Sequence, residues 1–275
     1  MQVTPTGGAL GAFVTDLDLS VPMPAPIQAR LRAAWLEHLV LVFPDQPVTE
    51  AQFLAFAKTI GEPGRYPFVT GLEEYPDIIE VKKLAHERNN FGGIWHSDTA
   101  YLEAPPMASM LVAREIPPTG GDTEFANMYT AWQTLPEPLK VTLAPLRAFN
   151  RSNLADVSKT RSDRVGGENS QRHPGYEAIH PVARVHPESG RTSLYVNVAH
   201  TNQFVDMTEA ESRPILDQLF AHQIRDEHVW RLQWEPGMVT LWDNRCTLHN
   251  PINDYHGHLR LMHRITLRGS VPVSA

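Results

Sequence analysis

The spacing of apolar and polar positions predicts helices near both ends of the chain and short strands elsewhere. Apolar residues recur at helical spacing over residues 27–38, directly after Pro24 and Pro26, and this predicts a helix. The continuous apolar run 39–43 predicts a buried strand immediately behind that helix. The early part of the chain is therefore expected to pack a helix against a sheet.

Two further helices are marked at their N-termini by a capping box. In each one, a threonine stands three residues before a side chain that can reach back to the threonine backbone, in the pairs Thr49–Gln52 and Thr208–Glu211. The first helix is expected to run to about Ile60, where Gly61 closes it, and the second to about residue 224.

The C-terminal part of the chain is dominated by strand-like stretches, at residues 229–233, 239–242 and 259–267. The last stretch alternates with period two, so one face is mostly apolar while Arg260 and Arg264 share the other. No internal repeat or linker divides the sequence. We therefore expect residues 1–275 to form one α+β domain, a helix-buttressed double-sheet jelly roll of the cupin type.

A short motif of metal-ligand type lies in the middle of the chain. The sequence Trp95-His96-Ser97-Asp98 offers an imidazole and a carboxylate, and His249 offers a second imidazole far downstream. Two histidines and one carboxylate can hold Fe(II) on one side and leave three positions open. Taken alone, His96 would be interpreted as a hydrogen-bonded core histidine.

The two arginines on the last predicted strand change that interpretation. Arg260 and Arg264 follow His249 by 11 and 15 residues. Cations in an apolar neighbourhood are costly unless anions meet them, and the planar guanidinium matches a carboxylate in two hydrogen bonds. A pair of structural salt bridges is the alternative explanation. Their position after a candidate metal ligand favours a site for an anionic co-substrate.

Five ordered motifs carry a resemblance to a known family. They are Trp95-His96-Ser97-Asp98, Pro118-Thr119-Gly120-Gly121-Asp122-Thr123, His186-Pro187-Glu188-Ser189-Gly190, Trp242-Asp243-Asn244-Arg245 and Met262-His263-Arg264. Together the motifs resemble the taurine dioxygenase / 2,4-dichlorophenoxyacetate dioxygenase family of Fe(II)- and 2-oxoglutarate-dependent enzymes. The resemblance extends over nearly the whole chain and implies a double-stranded β-helix.

The resemblance also implies roles for individual residues. The implied iron ligands, which are also the catalytic centre, are His96, Asp98 and His249. Arg260 matches the arginine that holds the distal carboxylate of 2-oxoglutarate, and Thr123 matches a hydroxyl that assists it. Arg264 matches an arginine near both the co-substrate and the head group of the primary substrate. The implied reaction consumes O2 and 2-oxoglutarate and releases succinate and CO2, and a carboxylate at Asp98 favours hydroxylation over halogenation.

Substrate identity is left open by departures from the taurine dioxygenase pattern. The positions that help hold taurine correspond here to Tyr66, Val69 and Gly92. An apolar pocket is expected from Tyr66, Phe68 and Tyr101, with Arg264 facing a negative head group. The expected substrate is a small organic acid: an aryloxyalkanoate, a sulfonate or an alkyl sulfate, whose hydroxylation can also cleave it. An amino-acid-derived metabolite of a biosynthetic pathway and a non-catalytic, acid-binding barrel are the alternatives.

Several other features have ordinary explanations. The His256-Gly257-His258 sequence is expected to be a solvated turn, and His186-Pro187-Glu188 is expected to form a hairpin turn. Trp242 and Asn244 are expected to support the strand that carries His249, by packing or by orienting a ligand. Residues 152–181 are interpreted as an active-site lid, with a surface excursion as the alternative.

Composition indicates the compartment of the protein and the kinds of partner that it can bind. A formal charge of −7 and a pI near 6.0 give no basic surface for nucleic acid. The single cysteine, Cys246, excludes a disulfide framework, and no signal peptide or membrane-spanning apolar run is recognisable. We expect a cytoplasmic protein with a small-molecule substrate and neither a nucleic-acid nor a membrane partner. A homodimer or homotetramer is the expected assembly.

Overall fold

The computed structural model describes residues 1–90, 92–154 and 175–275. The helices are α1 (Ala25–His38), α2 (Glu50–Ile60), α3 (Met128–Gln133), α4 (Glu137–Leu143) and α5 (Glu209–Gln223). The first nine strands are β1 (Gln2–Pro5), β2 (Ala12–Thr15), β3 (Val40–Phe43), β4 (Pro63–Gly64), β5 (Ile79–Lys83), β6 (Ala108–Glu115), β7 (Thr123–Asn127), β8 (Arg147–Arg151) and β9 (Glu177–Pro181). The others are β10 (Ala183–Val185), β11 (Thr192–Leu194), β12 (Thr201–Phe204), β13 (Val229–Leu232), β14 (Val239–Asp243), β15 (Thr247–Pro251), β16 (Arg260–Leu267) and β17 (Val273–Ser274).

The predicted helices and strands are confirmed with small shifts at their ends. α1 begins two residues earlier than predicted, because Pro24 takes an extended conformation as the N-cap and Pro26 fits the first turn. Both capping boxes are formed, so the threonine side chains Thr49 and Thr208 accept from the backbone N–H three residues on. Local sequence therefore sets where these helices begin.

The largest sheet of the described residues has eight strands. Its strand order is β1-β2-β3-β14-β6-β16-β4, and β5 also pairs with β16. Its pairs are antiparallel except β2 with β3. A second sheet has the order β13-β7-β15, and two further three-stranded sheets have the orders β12-β8-β9 and β11-β10-β17. The predicted double-sheet architecture is thus present.

The two faces of the large sheet belong to different hydrophobic clusters. Leu41 and Met110 point to the helices, where they pack in one cluster with Trp35 of α1 and Phe53 of α2. Their neighbours in sequence point the other way, because side chains alternate along a strand. That inner cluster joins Val40, Val42, Leu111, Trp242 and Met262 of the large sheet to Phe125 and Leu232 of the second sheet. The helices therefore cover the outer face of the large sheet, and its inner face packs against the second sheet, which carries His249.

The segment expected to form a lid, residues 152–181, ends in a strand. Its last five residues are strand β9, which pairs antiparallel with β8. Next to the strand pair, the Ser152 backbone N–H donates to the Tyr176 carbonyl at 3.0 Å. The central part of the segment, residues 155–174, lies outside the described residues, so the lid stays a prediction.

In the described part of the chain, none of the helices combines the length and the apolar character that crossing a bilayer requires.

Candidate metal and co-substrate site

The two candidate histidine ligands are joined directly through their backbones. The His96 N–H donates to the His249 carbonyl at 3.0 Å, and the His249 N–H donates to the His96 carbonyl at 2.9 Å. This isolated antiparallel bridge attaches the His96 segment to β15. Residues from distant parts of the chain are thereby fixed side by side, and Asp98 follows two positions later.

The three side chains converge on one point. The His96 Nε2 atom lies 3.6 Å from Asp98 Oδ1, and the His249 Nε2 atom lies 3.9 Å from the same oxygen. His96, Asp98 and His249 are only 7%, 2% and 5% exposed. One donor atom from each side chain lies within 4.8 Å of the others. The set has the composition and convergence of a two-histidine, one-carboxylate facial site.

The hydrogen bonds of the imidazoles leave metal-binding nitrogens free. His96 Nδ1 lies 2.7 Å from the Ile94 carbonyl, which can only accept, so Nδ1 is the donor and Nε2 is the ring nitrogen on the Asp98 side. His249 Nδ1 is buried without a hydrogen-bond partner among the described residues. The residues fit a metal ion because the Nε2 atoms of both histidines converge on Asp98 Oδ1, at 3.6 and 3.9 Å.

Burial and neighbouring charges set the protonation states that a metal needs. Burial, followed by the proximity of His96, lowers the pKa of His249 well below its usual value, although Asp98 opposes this shift. Burial alone would raise the pKa of Asp98, but Arg264, His249 and His96 together hold it well below its usual range. A neutral imidazole and an ionised carboxylate are the ligand forms that bind divalent metals.

A chain of hydrogen bonds holds the Asp98 carboxylate in place. Ser109 on β6 donates to Asp98 Oδ2 at 2.5 Å, and the Asn244 side chain donates to the Ser109 hydroxyl at 2.9 Å. Trp242 completes the chain by donating to Asn244 Oδ1 at 2.9 Å. Trp242 and Asn244 therefore orient a ligand as well as pack. Ser109 has no signal in the sequence beyond being a polar residue inside an apolar strand.

A second group of buried residues surrounds Arg260 on β16. This residue is 5% exposed, and its Nε and Nη2 atoms have no hydrogen-bond partner among the described residues. Its Cζ atom lies 5.8 Å from the Trp234 ring centroid and 6.0 Å from that of Tyr255. Trp234 donates to the Thr123 hydroxyl at 3.0 Å, which links the two predicted co-substrate residues. Gly121, at φ +75°, leaves room because a Cβ there would lie 3.2 Å from Arg260 Cδ.

Arg264 lies between the metal ligands and the predicted substrate pocket. Its Nη2 atom is 3.0 Å from Asp98 Oδ1, and its Cζ atom is 5.1 Å from the Tyr66 ring centroid. The side chain is buried, and its Nε atom has no partner among the described residues. The salt-bridge alternative thus accounts for part of Arg264 but for none of Arg260, for which no carboxylate partner is found in the described ranges.

The predicted substrate aromatics form one connected cluster. The centroid of the Phe68 ring lies 5.8 Å from that of Tyr66, 5.8 Å from that of Tyr101 and 5.5 Å from that of Tyr176. Tyr101 is also 4.9 Å from the His200 ring, whose Nδ1 atom is buried without a partner among the described residues. Burial lowers the pKa of His200 to about 3, so its imidazole is neutral. Tyr176 and His200 were not predicted, because nothing near them in sequence marks them.

The two other positions compared with the taurine pattern fall in different places. Gly92, at φ +75°, lies against the metal site, where a Cβ would be 3.0 Å from His96 Cε1. Val69 instead helps line a separate cavity of about 360 Å³.

The remaining histidine motifs have structural roles. His256 and His258 are exposed in a turn, as expected. His186 lies in the turn between β10 and β11, which confirms the hairpin. It also belongs to a second buried cluster with Asp243 and Cys246, which the sequence did not reveal.

Comparisons with known proteins agree with this geometry. The family model described as taurine catabolism dioxygenase TauD, TfdA family matches residues 2–266. An alpha-ketoglutarate-dependent sulfate ester dioxygenase of Pseudomonas putida is 34% identical, with 99% of this chain and 91% of the relative covered. An (S)-phenoxypropionate/alpha-ketoglutarate-dioxygenase of Sphingobium herbicidovorans is 31% identical over 90% of this chain and 88% of the relative. A crystal structure of a taurine dioxygenase from Burkholderia xenovorans superimposes with a TM-score of 0.84 and 32% identity, covering 99% of this chain and 91% of that one.

These similarities and the site identify the class of protein. It is an oxidoreductase with a jelly-roll fold that uses iron, 2-oxoglutarate and O2. The chain belongs to the TauD/TfdA family of Fe(II)- and 2-oxoglutarate-dependent dioxygenases. The resemblance, the fold class, the enzyme class and the co-substrates expected from the sequence are thereby confirmed.

Proposed function

We propose that the three converging side chains hold Fe(II): His96, Asp98 and His249. Their Nε2, Oδ1 and Nε2 atoms approach one another, His96 donates its Nδ1–H to the Ile94 carbonyl, and burial lowers the pKa of His249. When held there, Fe(II) together with 2-oxoglutarate and O2 would supply the oxidising chemistry for hydroxylation of a substrate carbon. The protein's part is to fix the ligands and to exclude water from the pocket.

We propose that Arg260 and Thr123 bind the distal carboxylate of 2-oxoglutarate. The support is an unpartnered, buried guanidinium beside a hydroxyl whose position Trp234 fixes. A carboxylate would satisfy both free guanidinium nitrogens at once. The aromatic rings of Trp234 and Tyr255 would keep this interaction dry and therefore strong.

We propose that the primary substrate is a small organic anion with an apolar body. The observation that carries this proposal is the position of Arg264, which lies against Asp98 on one side and the Tyr66 ring on the other. A head group bound to Arg264 would place its neighbouring carbon close to the iron ligands, and the Phe68 and Tyr101 rings would receive the apolar part. Burial of an apolar body contributes about 25 cal/mol per Å².

Among such anions, an alkyl sulfate ester is the substrate we propose first. The sulfate ester dioxygenase of Pseudomonas putida and a relative named alkylsulfatase from Acinetobacter baylyi are 34% and 33% identical to this chain over 99% and 100% of its length. Hydroxylation of the carbon that bears the ester oxygen would give a hemiacetal sulfate. That product breaks its C–O bond to release an aldehyde and sulfate, with the hydroxyl proton lost to water.

Aryloxyalkanoates are the second candidate, because the aromatic cluster can receive a phenyl ring as readily as an alkyl chain. An amino-acid-derived substrate is less well supported. Among the described pocket residues the carboxylate is Asp98, which is assigned to the metal, so nothing there would balance an ammonium group. The non-catalytic alternative conflicts with the family assignment and with the complete ligand set.

The test is succinate release by purified enzyme with Fe(II), ascorbate, O2 and 2-oxoglutarate across sulfate esters, sulfonates, aryloxyalkanoates and amino acids. We expect stimulation by an alkyl sulfate together with one equivalent of sulfate. The Arg264→Gln variant should lose that stimulation, whereas Arg268→Gln, a control at an exposed pair with Glu62, should keep it. Stimulation by an aryloxyalkanoate with release of a phenol would replace the first candidate by the second.

We also propose that residues 1–275 act as one domain and assemble as a homodimer or homotetramer in the cytoplasm. The family match over residues 2–266 supports a single unit. The one cysteine is buried and unpaired, which suits a reducing compartment. Light scattering on the eluted protein measures the assembly, and a monomeric mass would contradict this part of the proposal.

A further inference from the structure

We infer that Lys83 is a second cation of the co-substrate site and acts together with Arg260 on the distal carboxylate. The inference rests on the proposed placement of 2-oxoglutarate at Arg260 and extends it to a residue on a different strand. Lys83 is the last residue of β5, and Arg260 is the first residue of β16.

The strand register places the two cations side by side. Lys83 and Arg260 are directly opposed partners in the antiparallel pair β5–β16. Directly opposed residues point to the same face of a sheet, with Cβ atoms about 4.5–5.5 Å apart, and like charges in this arrangement repel. Both side chains are also buried, at 3% and 5% exposure. The arrangement is unfavourable unless an anion binds between or beside the two cations.

Neither cation is satisfied by the protein itself. The Nζ atom of Lys83 and the Nε and Nη2 atoms of Arg260 lack hydrogen-bond partners among the described residues. Asp122, the acid whose charge bears on Arg260, is already engaged by Arg231 at 2.7 Å. Burial lowers the pKa of Lys83, and the charge of Glu87 only partly opposes that shift.

One aromatic ring connects the two cations. The Nζ atom of Lys83 lies 4.2 Å from the centroid of the Tyr255 ring, and the Cζ atom of Arg260 lies 6.0 Å from the same centroid. A cation–π contact holds the ammonium in place without neutralising its charge. The ammonium is therefore held near the Arg260 pocket with its hydrogen-bond donors free.

This arrangement predicts selectivity at the end of the co-substrate that is remote from the iron. A 2-oxo acid whose far end is a carboxylate would meet two cations there. A 2-oxo acid of the same length with a methyl end would leave both unpaired. Lys83 should therefore contribute to the binding of 2-oxoglutarate and not to that of 2-oxopentanoate.

The experiment is calorimetric titration of Mn(II)-loaded enzyme with each of the two 2-oxo acids, so the readout is affinity and not turnover. Lys83→Met should weaken 2-oxoglutarate binding about tenfold, the size expected for one charge-assisted hydrogen bond. It should leave 2-oxopentanoate binding unchanged, and Lys83→Arg should restore most of the loss. Lys82→Met, on the opposite face of the same strand, is the matched control and should bind both acids like the wild type.

Two results would overturn the inference. Unchanged 2-oxoglutarate affinity in Lys83→Met would show that the ammonium does not reach the carboxylate. An equal loss for both acids would show that Lys83 acts through packing. The underlying placement is tested separately by Arg260→Met, since undiminished 2-oxoglutarate binding in that variant would contradict the placement itself.

Discussion

Two buried clusters in this protein have nearly the same residue types but opposite properties. One is His96, Asp98 and His249, and the other is His186, Asp243 and Cys246. In the second cluster, His186 Nδ1 accepts from the backbone N–H groups of Glu188 and Ser189 at 3.2 and 3.1 Å, and Nε2 donates to Asp243 Oδ2 at 3.0 Å. Both nitrogens of the His186 imidazole are therefore occupied by hydrogen bonds. In the first cluster, by contrast, side-chain atoms that could bind a metal remain available.

The carboxylate of the second cluster is occupied as well. Asp243 accepts from the Arg245 backbone and from its Nε and Nη2 atoms at 2.9, 2.8 and 2.7 Å. Burial would raise the pKa of Asp243, but Arg245 and His186 lower it well below its usual value. Burial also raises the pKa of the Cys246 thiol, which keeps it protonated and a poor ligand. The two clusters differ in whether their side-chain nitrogen, oxygen and sulfur atoms are left available to a metal ion, and not in their residue types.

The largest expected effect comes from removing a ligand of the first cluster. His96→Ala should abolish turnover and stoichiometric metal binding while the fold is kept, because only a side chain at the site is lost. Metal content after Mn(II) loading, with circular dichroism for the fold, measures this. His186→Gln is the control and should still bind one equivalent per chain; loss of metal there would mean that the clusters have been assigned the wrong way round.

The next largest effect concerns stability and should appear only in the second cluster. Asp243→Asn removes one partner of a buried ion pair and should lower the free energy of unfolding by about 3–5 kcal/mol. Chemical denaturation measures it. Glu188→Gln is the comparison, because Glu188 binds Arg245 near the surface and should cost about 1 kcal/mol or less. If the free energies of unfolding of the two variants differ by less than 1 kcal/mol, Asp243 does not have the structural role assigned to it.

The same residue predicts the pH dependence of stability. Because the pKa of Asp243 is lower in the folded state than its ordinary value of 3.8, its stabilisation is fully present above that value. It is lost as the pH falls from there through the folded-state pKa. The Asp243→Asn variant should therefore show a shallower loss of stability below about pH 4, and an identical slope in both proteins would contradict this assignment.

A smaller effect is expected at the co-substrate pocket. Arg260→Ala should raise the 2-oxoglutarate requirement at least tenfold, since losing a charged hydrogen-bond partner costs about 1.5–3 kcal/mol. The concentration of 2-oxoglutarate for half-maximal succinate release measures this, with metal content checked in parallel. An unchanged requirement for 2-oxoglutarate would show that its distal carboxylate binds at another site.

The smallest effect tests the hydrogen-bond chain behind Asp98. Ser109→Ala removes the donor to Asp98 Oδ2 and should weaken metal binding about tenfold, the lower end of the range for groups that orient ligands. Ser193→Ala is the matched control, since this buried serine donates to the Arg245 carbonyl beside the second cluster. Equal metal affinity in the two variants would show that Ser109 does not position the carboxylate.

The sequence by itself determined three of the helices, several of the strands and the candidate ligands. Helix starts follow from capping residues such as Thr49 and Thr208, and the alternation along β16 already placed Arg260 and Arg264 on one face. These features are local, so periodicity and spacing are enough to reveal them. The motif around His96 and the family resemblance then identified the iron ligands as candidates.

Tertiary structure decided which of those residues meet and which unmarked residues join them. Ser109, Trp234, His200 and Tyr176 belong to the site only because strand register and packing bring them there. Lys83 gains its significance from the single register position opposite Arg260. The pairing of strands far apart in sequence is fixed by the burial of both sheets, which no local pattern contains. The same reason explains why the two His–Asp clusters can be told apart only by counting their hydrogen bonds in three dimensions.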